Sequence, residues 1–202
     1  MPKLRPYQLE AVKDILEKRR ILIADDMGLG KCAEATAAKN LIENRAGREV
    51  PTLITCPSAV MEHWADEVRL WYKKKEDSRV VQIETSTFDR DVKRAENADV
   101  AIIGYPTLSY FGNKPEKVAM LERAGFQYGV IDEAHNATNP ESMRSMAVKK
   151  LYDALDHLAL FLDDQNFFKT LGEFAHAVRL ERPGHGNLEQ PDADFGGVAL
   201  GY

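Results

Sequence analysis

The stretch Ile21 to Ala33 sets Met27-Gly28-Leu29-Gly30-Lys31 between a short apolar run and a helix-forming run. Glycines let backbone N–H groups approach an anion with no side chain in the way. The N-terminus of a following helix adds a partial positive charge, and Lys31 adds a full one. This is the chemistry of phosphate binding. The common pattern G-x-x-x-x-G-K-[ST] is met in part: Asp25 stands at the first glycine, and Cys32 stands where a hydroxyl would ligate magnesium. Taken alone, the stretch also reads as a glycine-rich turn with a surface lysine.

A second group with chemistry is Asp132-Glu133-Ala134-His135, delivered by the apolar run Tyr128-Gly129-Val130-Ile131. Asp132 suits a magnesium ion held through water, and Glu133 can orient and deprotonate an attacking water. Metal and glycine loop together would neutralise charge on a transferred phosphoryl group, where most of the catalysis lies. An acidic strand-end turn is common by itself; its partnership with a lysine loop favours chemistry. A third candidate is Gln8, whose amide can bond both N6 and N7 of adenine. The plainer alternative is a solvent-facing glutamine in a first helical turn.

The elements that must position these residues follow from hydrophobic pattern. Apolar strands are predicted at Ile21–Ala24, Leu53–Thr55, Val80–Ile83, Val100–Ile103, Tyr128–Ile131 and Leu158–Leu162, mostly separated by helical segments. The alternation predicts an α/β fold with a mostly parallel sheet covered on both faces. In such sheets ligands sit at the carboxyl ends of strands. The glycine loop, Pro57-Ser58, Tyr105-Pro106-Thr107 and Asp132-Glu133 all fall at such ends.

Helical spacing predicts a face of Leu9, Val12 and Leu16, with Ala11 and Ile15 beside it. A second face carries Ala35, Ala38, Leu41 and Ile42, and a core stripe carries Val60, Trp64, Val68 and Trp71. Ser58 can cap the helix that bears this stripe. Lys73-Lys74-Lys75 reads as a solvated helix end or as a contact to a phosphate backbone.

The 202 residues divide into one domain over 1–162, an amphipathic helix over 163–181 and a disordered tail over 182–202. A net charge of −5 gives no overall attraction to nucleic acid, though a local basic face is compatible with it. Two cysteines, Cys32 and Cys56, make no disulfide framework. With no signal-like N-terminus and no membrane-spanning run, the expected location is intracellular, cytoplasmic or nucleoid/nuclear, with no membrane partner.

At this point the sequence resembles a known family, the Swi/Snf-type ATPases of helicase superfamily two, in their first RecA-like lobe. The matching residues are Leu4-Arg5-Pro6-Tyr7-Gln8, Asp25-Asp26-Met27-Gly28-Leu29-Gly30-Lys31, Ile54-Thr55-Cys56-Pro57-Ser58 with Trp64 and Glu67, Asp132-Glu133-Ala134-His135, and Asn139-Pro140-Glu141-Ser142-Met143-Arg144-Ser145. They run in the family's order from about residue 4 to 160. The resemblance implies a three-layer α/β/α RecA-like P-loop fold and a DNA-dependent motor that hydrolyses ATP with Mg2+. It implies nucleotide contacts from Gln8, Asp26, Met27, Gly28, Leu29, Gly30, Lys31 and Cys32, with Lys31 and Glu133 catalytic. It further implies metal binding at Asp132 and, in the place of the usual hydroxyl, Cys32; coupling through His135; and duplex-DNA contacts from Ser58 and Thr107.

Three departures stand against that pattern. Cys32 replaces the magnesium-ligating hydroxyl residue, Ile103-Gly104 replaces hydroxyl residues at the end of the fourth strand, and Asp163-Asp164-Gln165-Asn166 replaces a Gly-Thr-Pro motif. No stretch matches the family's second lobe, which supplies arginine to the γ-phosphate. Arg179 and Arg182 are near the end, but nothing in the sequence places them at the site. The chain is thus expected to be a natural split protein, a truncated or frameshifted product, or an excised domain, acting with a second lobe in trans or without one. A non-catalytic nucleotide-binding module and an inert remnant are the competing expectations. A thiol is a soft ligand and magnesium a hard ion, so Cys32 is expected to weaken magnesium-dependent turnover while ATP still binds. Cys32→Thr should therefore raise the ATPase rate; an unchanged rate sinks this account.

Overall fold

The computed structural model describes residues 3–24, 28–73, 78–153, 155–162 and 198–200. The elements in order are α1 (Pro6–Lys18), β1 (Arg20–Ala24), α2 (Lys31–Ala46), β2 (Thr52–Cys56), α3 (Met61–Trp71), β3 (Val80–Ile83) and α4 (Phe88–Ala95). Then come β4 (Val100–Gly104), α5 (Tyr105–Phe111), α6 (Pro115–Arg123), β5 (Tyr128–Ile131), α7 (Met143–Asp153), β6 (His157–Leu162) and β7 (Val198–Leu200). Each predicted strand is present within a residue of its expected ends.

The strands form one sheet in the order β3-β4-β2-β5-β6-β1-β7. Every pairing is parallel, for example Ile54 beside Val130 and Leu22 beside Leu160. Side chains alternate between two buried clusters. Ile21, Ile23, Ile54, Ile102 and Phe161 pack under α1–α3, while Leu22, Leu53, Ile103, Ile131 and Leu160 pack under α4–α7. The result is the expected three-layer α/β/α sandwich. No helix among the described residues is long and apolar enough to cross a membrane.

The helix faces differ from the sequence reading in detail. On α1 the buried positions are Gln8, Ala11, Val12 and Ile15, while Leu9 is 55% exposed. The inward stripe is rotated by one residue because Gln8, a polar side chain, turns inward. On α2, Ala35, Ala38 and Ile42 are buried and Leu41 is exposed. Ser58 does not cap α3; it opens a 3-10 turn (Ser58–Val60), and the residue before α3 is Val60. The helix and tail expected over 163–181 and 182–202 lie outside the described residues, except that Val198–Leu200 pair in parallel with β1 as an edge strand. There they satisfy β1 backbone groups that would otherwise lack a ladder partner. Lys74 and Lys75 also lie outside the described residues.

At the end of α2 far from the glycine loop lies a buried charge network that the sequence did not suggest. Lys39 and Glu43 are both 1% exposed and pair at 2.8 Å. Lys39 Nζ also donates to the Val50 carbonyl (2.7 Å), and Glu43 Oε1 accepts from Val50 N–H (3.1 Å) and the Tyr72 hydroxyl (3.0 Å). Lys73 reaches the other Glu43 oxygen at 3.1 Å. Burial alone pushes the Glu43 carboxyl up, but the bonds from Lys39, Val50 and Lys73 outweigh it and hold the group below the ordinary glutamate range.

Removing one partner of a buried pair strands the other charge, so Lys39→Met should cost about 3–5 kcal/mol of stability at neutral pH, read by urea unfolding. A carboxyl depressed on folding contributes stability above its unfolded pKa and loses it as pH falls. The stability gap between the wild type and Glu43→Gln should therefore shrink below about pH 4. A gap constant down to acid pH would contradict this.

Candidate functional site

Asp25, Asp26 and Met27 of the predicted phosphate loop lie outside the described residues; the loop is described from Gly28 onward. Gly28 and Gly30 take φ of +85° and +91°, a left-handed geometry that side-chain-bearing residues rarely adopt. Gly30 precedes α2, and its carbonyl accepts from the N–H groups of Ala33 (2.9 Å) and Glu34 (3.2 Å). Between the glycines, the Leu29 carbonyl accepts from both the Tyr7 hydroxyl (2.9 Å) and Gln8 Nε2 (2.9 Å). Gln8 Oε1 in turn accepts from Arg5 N–H at 2.9 Å. The amide predicted to read adenine is thus first a brace on the loop. One Nε2 hydrogen and one Oε1 lone pair remain, the complement an adenine edge requires.

Lys31, at the first position of α2, is buried at 8% exposure. It lies near enough to Asp132 for its charge to favour that carboxylate. This proximity follows from topology, because β1 and β5 flank β6 and all three point the same way. Burial raises the Asp132 carboxyl above its ordinary value, opposed by a hydrogen bond from the Trp64 indole and by the charge of Lys31. Trp64 Nε1 donates to Asp132 Oδ2 at 2.8 Å.

The backbone of this acidic turn is held separately. Asp132 N–H donates to the Thr55 carbonyl on β2 (2.8 Å). The Tyr105 hydroxyl donates to the carbonyls of Asp132 (2.7 Å) and Glu133 (3.2 Å). Glu133 has φ +51° and ψ +51°, the left-handed region. A non-glycine residue there costs about 1–3 kcal/mol and persists only when neighbours enforce it. Asn136 helps through its backbone N–H (2.9 Å) and side-chain amide (3.0 Å) on the Glu133 carbonyl. The Glu133 carboxylate lies 3.3 Å from His135 Nδ1, so the predicted base and the predicted coupling residue adjoin. Beside His135 opens a cleft of ≈580 Å³, lined in part by Ser109, Asn136, Ser142, Met143 and Arg144.

Cys32 also reaches this cluster. Burial, then the charges of Asp132 and Glu67, push its thiol far above the ordinary cysteine value, as burial and Asp132 do for Cys56. Cys32 therefore stays protonated near neutrality and is a poor ligand for a hard cation. Among the described residues no group of three or more His, Cys, Asp or Glu side chains could hold a metal ion. A magnesium ion, which keeps several waters and takes one or two carboxylates plus phosphate oxygens, would find one such carboxylate in Asp132.

The two predicted DNA contacts separate. Ser58 is exposed at the end of β2. Thr107 is 5% exposed and its hydroxyl pairs with that of Thr85 at 2.8 Å, so its side chain faces inward and its hydroxyl is already engaged. Three side chains that the sequence reading named, Tyr7 and Trp64 in the matching motifs and Tyr105 at a strand end, received no role in the site there. A buried Trp or Tyr near strand ends must find a partner for its polar atom, and that was the available signal.

Known proteins are similar to this chain in sequence and fold. The chain is 27% identical over 144 residues to the human "DNA annealing helicase and endonuclease ZRANB3", covering 71% of this chain and 12% of that protein. It is 31% identical over 161 residues to the Arabidopsis thaliana "TATA-binding protein-associated factor BTAF1", covering 74% of this chain and 8% of that one. The chain thus spans about a tenth of the length of these relatives. Among solved structures, the Sulfolobus solfataricus SWI2/SNF2 ATPase core in complex with dsDNA superposes with a TM-score of 0.68 at 24% identity, over 91% of this chain and 36% of that one. At that identity the likeness establishes a shared RecA-like fold. The SNF2-related domain matches residues 7–160, most of the chain, and the chain belongs to that family, as part of its ATPase lobe.

Proposed function

We propose that this chain is the ATP-binding lobe of a Swi/Snf-type DNA-dependent ATPase, hydrolysing ATP with Mg2+ when a second RecA-like lobe completes the site. The observation that carries the reading is the placement of Lys31 and of Asp132-Glu133 at the carboxyl ends of β1 and β5, close enough for the Lys31 charge to act on Asp132. Gly28 and Gly30 open the loop backbone to phosphate oxygens, and the start of α2 with Lys31 supplies positive charge. Gln8 braces the loop and offers its remaining donor and acceptor to the base. Magnesium, when bound, would neutralise charge building on the transferred phosphoryl group; Asp132 is the residue to hold it. Glu133, turned by its left-handed backbone and set beside His135, orients water and takes its proton. Ser58 is the exposed candidate for a duplex-backbone contact.

A second reading, a nucleotide-binding module without turnover, is favoured by the protonated thiol of Cys32 where a hydroxyl ligand is usual. Magnesium-dependent ATP hydrolysis with a second lobe supplied, with and without duplex DNA, separates the two. Under the main reading, DNA stimulates turnover. Lys31→Ala weakens nucleotide binding, and Glu133→Gln binds normally but loses on the order of a hundredfold or more in rate. Turnover indifferent to both substitutions would refute the main reading, and tight ATP binding with no turnover when a second lobe is supplied would establish the module.

A further inference from the structure

Trp64 is read from sequence as one member of a core stripe on α3, and its side chain is indeed buried at 1% exposure. Its one polar atom, however, points out of that core. Nε1–H donates to Asp132 Oδ2 at 2.8 Å, across from a different strand and a distant part of the chain. The same aspartate has its N–H on the Thr55 carbonyl and its carbonyl under the Tyr105 hydroxyl. Backbone and one carboxylate oxygen are therefore both tied down.

An indole N–H is a donor only and carries no charge. It can occupy Oδ2 without competing for a cation and without neutralising the carboxylate, as a lysine or arginine there would. Packed at 1% exposure, it leaves Oδ1 as the oxygen the indole does not occupy, and the Glu133 backbone N–H adds a second hydrogen bond to the same carboxylate. We propose that Trp64 is a positioning residue for the metal: its indole locks the rotation of the Asp132 carboxylate and turns Oδ1 toward the ion. This rests on the nucleotide-binding reading above. Partners of this kind behind a metal-binding carboxylate typically contribute tenfold to a hundredfold in metal affinity.

The test uses a fluorescent ADP analogue, titrated into the chain in EDTA and across a range of Mg2+ concentrations, with direct Mn2+ binding followed by electron paramagnetic resonance. Trp64→Phe keeps the aromatic bulk and removes the donor. It should leave affinity in EDTA within about twofold of the wild type and raise the Mg2+ or Mn2+ concentration needed for half-saturation by about tenfold to a hundredfold. Unchanged metal dependence overturns the proposal, as does an equal loss of affinity with and without metal, which marks a merely structural role.

A folded reporter avoids the chance that Trp64→Phe is unstable. The chain has two tryptophans, so Trp71→Phe leaves Trp64 as the sole emitter. Its fluorescence should shift when Mg2+ is added to the nucleotide complex and not when nucleotide is added in EDTA. Silence on metal binding overturns the proposal even if the other variant misfolds. A wild type that binds no nucleotide in either condition removes the underlying reading. Metal-dependent binding that Trp64→Phe preserves removes only the role of Trp64.

Discussion

Parallelism is the constraint on which the rest of this molecule depends. Because every strand runs the same way, every loop that leaves a carboxyl end emerges on one edge. The sheet is buried on both faces, so its strands must be almost wholly apolar and polar chemistry is displaced to that edge. The order β5-β6-β1 then puts the glycine loop and the acidic turn one strand apart. The charge of Lys31 acts on Asp132 because of where their strands sit.

At that edge the polar groups are held largely by aromatic donors. Tyr7 grips the Leu29 carbonyl, Tyr105 grips the carbonyls on either side of the left-handed turn, and Trp64 grips the Asp132 carboxylate. Rings have few rotatable bonds and pack into the layers beneath, so a hydroxyl or indole N–H can be presented at a fixed point with little entropy to lose. Arg144 joins the same support by stacking over the Tyr105 ring, 5.3 Å from its centroid, while bonding the Asn136 carbonyl and Ser109. The strain at Glu133 is sustained by this scaffold.

Much of the fold was legible in the sequence for a simple reason. Short apolar runs such as Val80–Ile83 and Tyr128–Ile131 have no other stable home than a buried strand, and the structure returns them with the same ends. The motif residues were legible because glycines before a lysine and adjacent carboxylates after a strand are chemically distinctive. What periodicity could not show was tertiary choice. Gln8 replaced Leu9 on the inward face of α1 because its amide has a carbonyl to hold, and Lys39 and Glu43 went inward because each found the other. Thr107 looked free to meet a ligand until Thr85 was placed beside it. In each case a partner distant in sequence decided the outcome, and a one-dimensional pattern does not contain that partner.

The close approach of Gly104 to Ser58 couples two positions that would otherwise be considered apart. A Cβ on residue 104 would lie 2.5 Å from the Ser58 Oγ and 3.2 Å from the Met61 sulfur. The absence of a side chain at the end of β4 is thus what lets the exposed hydroxyl at the end of β2 hold its present rotamer. A side chain at position 104 would therefore displace the Ser58 hydroxyl to another rotamer, so the direction in which that hydroxyl points is set from the neighbouring strand.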